Sequence, residues 1–403
     1  MTAGDDPKDE GPKDKPSGAP PRISTRPPPA FQATSRAPSR PPSGIGGARA
    51  SGRPGSRAPD LLGSARRLSS LDFDLVNAAR RIVEGALGLV LGDHFVAIAD
   101  DRNDAFAAAL VDAAIGAGAT AELIDLASFG VRPTRVLPPE LENVLGGAQA
   151  GVYLASFNDG EDPLLDGIVR VVREKQLRFG AMPGATRRGI LAGFAADPAR
   201  IAEASRGVRL RVRPDSILRV RTPGGSDLTV KLAPSHRWFE RVGSVRAGRF
   251  DPLPLGQLLT APGDVSGVYV ADASVGLDAD PAGGHAMRSP VRFEIDGGVV
   301  RAVRTRDALL ERKVELALRR EHQLDAVGLV IIGTNVGLDG PVGELYVDQT
   351  LPGLHLSFGA TMPDLTGAAP SARHHFVAAA GNADVDLDGA PLLRSGHFVG
   401  LSS

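Results

Sequence analysis

Cysteine is absent from the whole chain of 403 residues. No disulfide, thiolate nucleophile or cysteine-ligated zinc or iron–sulfur centre can form, so any metal has to be held by His, Asp and Glu. An excess of charge of either sign is missing too: 46 Lys and Arg against 47 Asp and Glu leave a formal net charge of -1. That balance generates no global field to draw the chain to nucleic acid or to an anionic membrane, and neither partner is expected. Long hydrophobic runs are lacking as well. "GALGLVLGDHFVAIADD" is broken by Gly, Asp and His before it reaches the roughly twenty residues of a bilayer span. The opening "MTAGDDPKDEGPKDKP" has neither the basic start nor the apolar core of an export signal, so the expected location is cytoplasmic.

Residues 1–67 are nearly devoid of large apolar side chains and rich in Pro, Ser, Gly, Ala and Arg. Burial there cannot offset the entropy of ordering, and a disordered tail is expected. Its Arg- and Pro-rich stretch from Arg22 serves either as a solubilising spacer or as a docking segment for an acidic partner.

From about Leu71 the texture changes. The helical spacing of "DFDLVNAARRIVEGALGLV", the compact run "HFVAIADD", the Ala-rich "NDAFAAALVDAAIGAGA" and the strand-like "TAELIDL" make a strand–helix–strand unit, which requires a parallel sheet covered by helices. "AGVYLASF", "PLLDGIVRVVREKQ" and "LRFGAMPG" continue the pattern. The first turn, "ADDRNDAF", lacks the glycines that seat a pyrophosphate on a helix N-terminus, which disfavours nucleotide binding. Beyond Arg206 the chain reads as β-rich. Arg209, Arg211 and Arg213, then Arg219 and Arg221, alternate with apolar residues and predict strands with a solvated arginine face, without the aromatics of a base-stacking platform. Further strands are expected at "SGVYVADA", "VRFEIDGGVVRAVRT" and "AVGLVIIGTN", with a helix at "DALLERKVELALRREHQ". A chain this long, with 42% apolar residues, can build two cores. The expected fold class is therefore α/β: an open parallel-sheet α/β domain over 68–205, then a β-rich α+β domain over 206–403, behind the tail.

Six segments in order carry a resemblance. "AMPGATRRGILAGFAADPARIAEASRGV", "ILRVRTPGGSDLTVKL", "LPLGQLLTAPGDVSGVYVADASVG", "GLVIIGTNVG", "LHLSFG" and "RHHFVAAAGNADVDLDG" resemble the metallo-aminopeptidase family typified by aminopeptidase T. They match, respectively, its Pro-Gly-x-Thr turn, its strand–turn–strand, its Pro-x-Gly-Glu-Val-Phe-Thr-Ala-Pro segment, its Gly-Glu-x-Gly-x-Gly-x-Asn segment, its His-x-Ala-x-Gly strand and its His-x-Asp stretch. The resemblance implies a two-domain subunit that dimerises around an internal cavity, where two divalent metals activate water to trim peptides from the N-terminus. Carboxylates have to bridge and neutralise such a metal pair.

Carried over one position at a time, the ligands are mostly missing. The first family Glu falls on Gln257 and the second on Leu329; the strand histidine is present as His355; a family Tyr falls on Met362; the last His falls on His375, with His374 as its neighbour, and its Asp falls on Val377. Two imidazoles remain and all three carboxylates are gone. A family of related fold that opens hydroxypyridine rings with a mononuclear iron needs the same missing Asp. Two readings follow. In the first, the dinuclear site is lost, no cofactor is needed, and the chain, a homodimer by family analogy, binds or assembles with a peptide or protein ligand. In the alternative, it is a metal-dependent aminopeptidase-like hydrolase holding one zinc, cobalt or manganese ion on His355, His374 or His375 with a recruited carboxylate. The candidates for that carboxylate are Asp384, Asp386, Asp388, Asp348 and Glu344, although turn aspartates commonly bond the backbone. His236 and His285 are expected in loops, and His355 on its own also reads as a packed core histidine. No serine sits in a Gly-x-Ser-x-Gly elbow.

Overall fold

The structure is a computed structural model that describes residues 73–101, 103–277 and 285–400, the side chains of Leu277 and His285 excepted. The tail read over 1–67 lies outside the described residues.

Helix α1 (Phe73–Arg80) runs on through a π-helical turn (Arg81–Ala86) to β1 (His94–Ala99). Then come α2 (Asp104–Gly116), β2 (Thr120–Asp125), α3 (Pro139–Gly147), β3 (Ala150–Tyr153), α4 (Asp162–Lys175) and β4 (Arg178–Ala181). The strands pair in parallel in the order β2-β1-β3-β4-β8, and the fifth strand, β8 (Arg249–Pro252), comes from much later in the chain. Alternation along β1 explains why both faces are covered: Phe95 and Ala97 pack with Ala107 and Leu110 of α2, whereas Val96 and Ile98 pack with Leu141 of α3 and Ile168 of α4. In α4 the buried Leu164, Ile168, Val171 and Val172 recur at helical spacing, and the helix stops where Gln176 turns left-handed at φ 58°.

Two connecting helices follow, the short α5 (Arg187–Gly193) and the longer α6 (Pro198–Arg211). The strand expected at Arg209–Arg213 is corrected here, because Arg209 and Arg211 form the last turn of α6. Asp197 caps this helix by accepting the Ala199 N–H, Pro198 opens it, and Ile201, Ala204, Ser205 and Val208 bury one stripe at helical spacing, which overrides the local alternation. Arg219 and Arg221 do alternate along a strand, β5 (Ile217–Arg221), and both point outward.

The rest is two antiparallel sheets. The larger runs β13-β12-β10-β6-β5-β17-β18-β19 through β6 (Asp227–Leu232), β10 (Pro262–Ala271), β12 (Val291–Asp296), β13 (Val299–Arg304), β17 (Asp384–Leu387), β18 (Ala390–Arg394) and β19 (His397–Phe398). The smaller runs β11-β16-β15-β14-β9-β7 through β7 (Phe239–Arg241), β9 (Gln257–Thr260), β11 (Ser274–Leu277), β14 (Val327–Gly333), β15 (Gly353–Gly359) and β16 (His375–Ala379). They pack face to face: Leu354, Leu356 and Phe358 of β15 meet Tyr269 and Phe293 of the larger sheet, and the Phe293 and Phe358 rings lie 5.2 Å apart. The Tyr269 Oη reaches across to 3.1 Å from the Leu354 and Ala378 carbonyls. The expected helix at "DALLERKVELALRREHQ" is present over Ala308–Leu318, capped by Asp307. No helix among the described residues is long and apolar enough to cross a membrane.

Candidate functional site

The other face of the smaller sheet gathers the positions singled out by the sequence. Cross-strand register puts Gln257 beside Gly333, which pairs with Gly353; Leu259 beside Ile331, which pairs with His355; and Leu329 beside Ser357, which pairs with Val377. Strand periodicity therefore sends Gln257, Leu329, His355 and Val377 to one side, opposite the sandwich core. Strand β15 is buried along its entire length.

His355 has no solvent exposure, and both of its ring nitrogens are used. Nε2 lies 2.8 Å from the Leu351 carbonyl and donates to it; Nδ1 accepts the Ala380 N–H at 3.3 Å. This pattern assigns the proton to Nε2 and leaves no lone pair for a metal. Burial holds the imidazole neutral and lowers its pKa to about 4. The ring lies over Gly353, where a Cβ would sit 3.2 Å from Cε1, so the glycine makes room for the histidine.

His375 and His374 do not join it. His375 pairs with Gly359, four residues along the strand from His355, a separation of about 13 Å. Its Nδ1 is 3.1 Å from the Ser357 hydroxyl. His374 turns instead to Glu321, with Nδ1 2.7 Å from the carboxylate, which also accepts the Arg373 N–H at 2.6 Å. The pKa of Glu321 is lowered by these hydrogen bonds, although partial burial alone would raise it.

The positions to which the resemblance assigns metal-binding carboxylates hold neutral groups. Leu329, with Phe239, Leu259, Ala261, Ile331 and Ala368, forms a compact apolar cluster against which Met362 and Leu365 pack. Gln257 is fully buried; its amide donates to the Gln349 carbonyl at 3.2 Å, and its oxygen accepts from the Arg241 Nη1 at 3.2 Å. Arg241 is the principal group that sequence reasoning missed. Its guanidinium contacts Asp251 at 3.2 Å, stands 5.7 Å from the centre of the Phe239 ring and has Nη2 4.0 Å from the Met362 sulfur. Arg249 binds the same Asp251 oxygen at 3.0 Å. Among the described residues, two guanidinium groups share this one carboxylate. A dication entering this face would meet two guanidinium groups and a carboxylate already bound to both. Two signals were readable. "FER" places Phe239 and Arg241 on one side of a strand and Glu240 on the other, and the segment "GLVIIGTN" has Ile331 where the family motif has glycine.

The carboxylates proposed as recruits are occupied elsewhere. Asp348 is buried and accepts the Val342 and Gly343 N–H groups at 2.7 and 2.9 Å; burial, with the charge of Glu344 adding to it, raises its pKa to about 6 against those hydrogen bonds. Glu344 accepts from the Thr186 hydroxyl. Asp384 accepts the Ser395 N–H, Asp386 pairs with Arg394, and Asp388 accepts the Ile217 N–H at 2.9 Å and pairs with Arg213, all on the larger sheet. His236 Nδ1 is 3.0 Å from the Ala261 carbonyl in a loop. The His285 side chain lies outside the described residues. Among the described residues no three His, Asp or Glu side chains stand close enough to share a cation.

No protein-family model matches the chain, and no curated protein matches it in sequence. Solved structures do. Wild-type AmpT from Thermus thermophilus superposes with a TM-score of 0.59 at 19% identity, covering 81% of this chain and 99% of the other. The 2,5-dihydroxypyridine dioxygenase from Pseudomonas putida KT2440 gives a TM-score of 0.56 at 15% identity, covering 81% and 97%. The fold is aminopeptidase-like.

Proposed function

We propose that the chain uses its aminopeptidase-like scaffold to bind or assemble with a peptide or protein ligand, without a dinuclear metal centre. The observation that carries this reading is the buried Arg241 guanidinium hydrogen-bonded to Gln257, the position that the resemblance gives to a metal-bridging Glu. A fixed monocation there is incompatible with two adjacent dications unless several carboxylates surround it, and Gln257, Leu329 and Val377 supply none. The tying of both His355 nitrogens to the backbone supports the same reading.

Elemental analysis after equilibration with zinc, cobalt or manganese tests it. The expected result is well under one tightly bound ion per chain and no chelator-sensitive release of N-terminal residues from peptides. A stoichiometric ion that is lost in His355→Ala overturns the proposal and restores the hydrolase reading.

A further inference from the structure

The parallel sheet begins at an open edge. Strand β2 is its outermost strand and, among the described residues, pairs only with β1, with Thr120 beside His94 and Asp125 beside Ala99. None of its six residues is buried: Thr120, Glu122, Leu123 and Asp125 are exposed, and Ala121 and Ile124 are half-buried. A strand covered by a helix or loop would lose that exposure, so this margin faces solvent.

The backbone along the margin is only half used. The Thr120 N–H donates to the Asp93 carbonyl at 2.9 Å, which fixes the alternation: Thr120, Glu122 and Ile124 turn their N–H and C=O groups to β1, and Ala121, Leu123 and Asp125 turn theirs outward. Among the described residues the outward groups of Ala121 and Leu123 meet no partner, and at Asp125 only the carbonyl is engaged, by the Ser128 hydroxyl at 2.6 Å. Side chains alternate likewise. Ala121 packs on the α2 side of the sheet and Ile124 on the side of α3 and α4, so Leu123 stands on the α2 side, 41% exposed. Leu91, 85% exposed, lies over Gly118 just before the strand, and Ile115, 56% exposed, is in the last turn of α2. Three large apolar side chains therefore border unpaired backbone.

We propose that β2 is an interface between two copies of this chain, pairing antiparallel with itself across a two-fold axis through Leu123. Residues opposite one another in an antiparallel pair share a face, so the axis has to pass through a residue and not between two. Centred on Leu123, the two copies of that residue exchange both hydrogen bonds, and each Ala121 exchanges both with Asp125 of the second copy. Every outward group of the strand is then engaged. Every other centre leaves at least one of these three residues past the end of its partner strand. A centre on Glu122 also sets two carboxylates directly opposite, whereas in the Leu123 register Glu122 stands opposite Ile124 and Asp125 opposite Ala121. The edge is thus complementary to itself in hydrogen bonding and in charge, which selects a second copy over an unrelated strand. It shares no residue with the Arg241 face, so failure of either proposal leaves the other standing.

Because the chain has no cysteine, Leu123→Cys and Thr120→Cys each introduce a single thiol per copy. In the proposed register the two copies of position 123 have Cα atoms about 5.5 Å apart, whereas those of position 120 are six residues out of step, roughly 20 Å. A short bis-maleimide is expected to join Leu123→Cys into covalent dimers and to leave Thr120→Cys as single chains on a denaturing gel. Sedimentation equilibrium gives a second reading. The full chain is expected to self-associate, Leu123→Lys to weaken that association at least tenfold, and Leu309→Lys, at an exposed leucine on the helix Ala308–Leu318, to leave it unchanged. Thermal unfolding of each variant confirms that it is folded. A monomeric full chain, which would leave the edge to an unrelated strand, overturns the proposal. So does failure of Leu123→Cys to cross-link, equal cross-linking of Thr120→Cys, or an association unchanged in the folded Leu123→Lys variant.

Discussion

At the scale of single residues, two buried ionisable groups pull stability in opposite directions with pH. His355 is neutral when folded, with a pKa of about 4 against an ordinary 6.5. Between those values the unfolded chain takes up a proton that the folded chain refuses, so stability falls as pH drops through this window, by roughly 3 kcal/mol in all. Asp348 has its pKa raised to about 6 from 3.8, so its contribution is fully present below 3.8 and is lost as pH rises through 6. The two terms oppose each other between pH 4 and 6. Asp348→Asn is expected to remove the counterweight, giving a steeper fall of the urea midpoint between pH 6 and 4 than in the parent; equal slopes would contradict the assignment. His355→Ala is expected to flatten the same profile. It also costs about 3–5 kcal/mol, because it leaves a cavity and two unpaired backbone groups, and equilibrium unfolding reads both effects. Arg241→Ala should cost about 2–3 kcal/mol by chemical denaturation, since Asp251 is only 4% exposed and keeps just Arg249 as its ion-pair partner.

At the scale of elements, the face of β9, β14 and β15 can be tested with an introduced acid. Leu329→Glu places a carboxylate in the cluster of Phe239, Leu259 and Ile331; the expected outcome is a loss of about 3 kcal/mol or more with no recovery on adding zinc, monitored by thermal unfolding with and without the metal. Recovery by zinc would mean that the face still accommodates a cation. The elements themselves were largely legible. β1, β14 and β15 are runs of apolar residues bounded by turn residues, and α4 has an unmistakable apolar stripe, so periodicity alone finds them. The end of α6 was not, because Arg209 and Arg211 alternate locally like a strand while the helix is set by its cap at Asp197 and by the buried stripe of Ile201, Ala204, Ser205 and Val208. That Gln257 and Leu329 cannot bridge metals was legible from residue type alone. The pairing of Arg241 with Gln257 was not, because it depends on β7 and β9 lying side by side, a contact sixteen residues apart in sequence that no local pattern encodes.

At the scale of the whole molecule, the α/β part and the sandwich are tied by ion pairs between α4 and loops of the second part, where Arg320 meets Asp162 at 3.4 Å and Arg373 meets Asp166. These pairs are half exposed, so salt is expected to loosen them: raising sodium chloride from 0.05 to 1 M, on the order of a threefold or greater shortening of the screening length, should speed proteolysis of the connecting loops while the melting of each sheet changes little. An unchanged cleavage rate would show that these two ion pairs do not hold the parts together. The position of β8 has a consequence for biosynthesis. Because its four residues are the last to dock on the parallel sheet, a nascent chain still attached to the ribosome carries β4 as a raw, unsealed margin until residue 252 has emerged. By then three strands that belong to the sandwich are already outside the tunnel, waiting for companions that have yet to be translated.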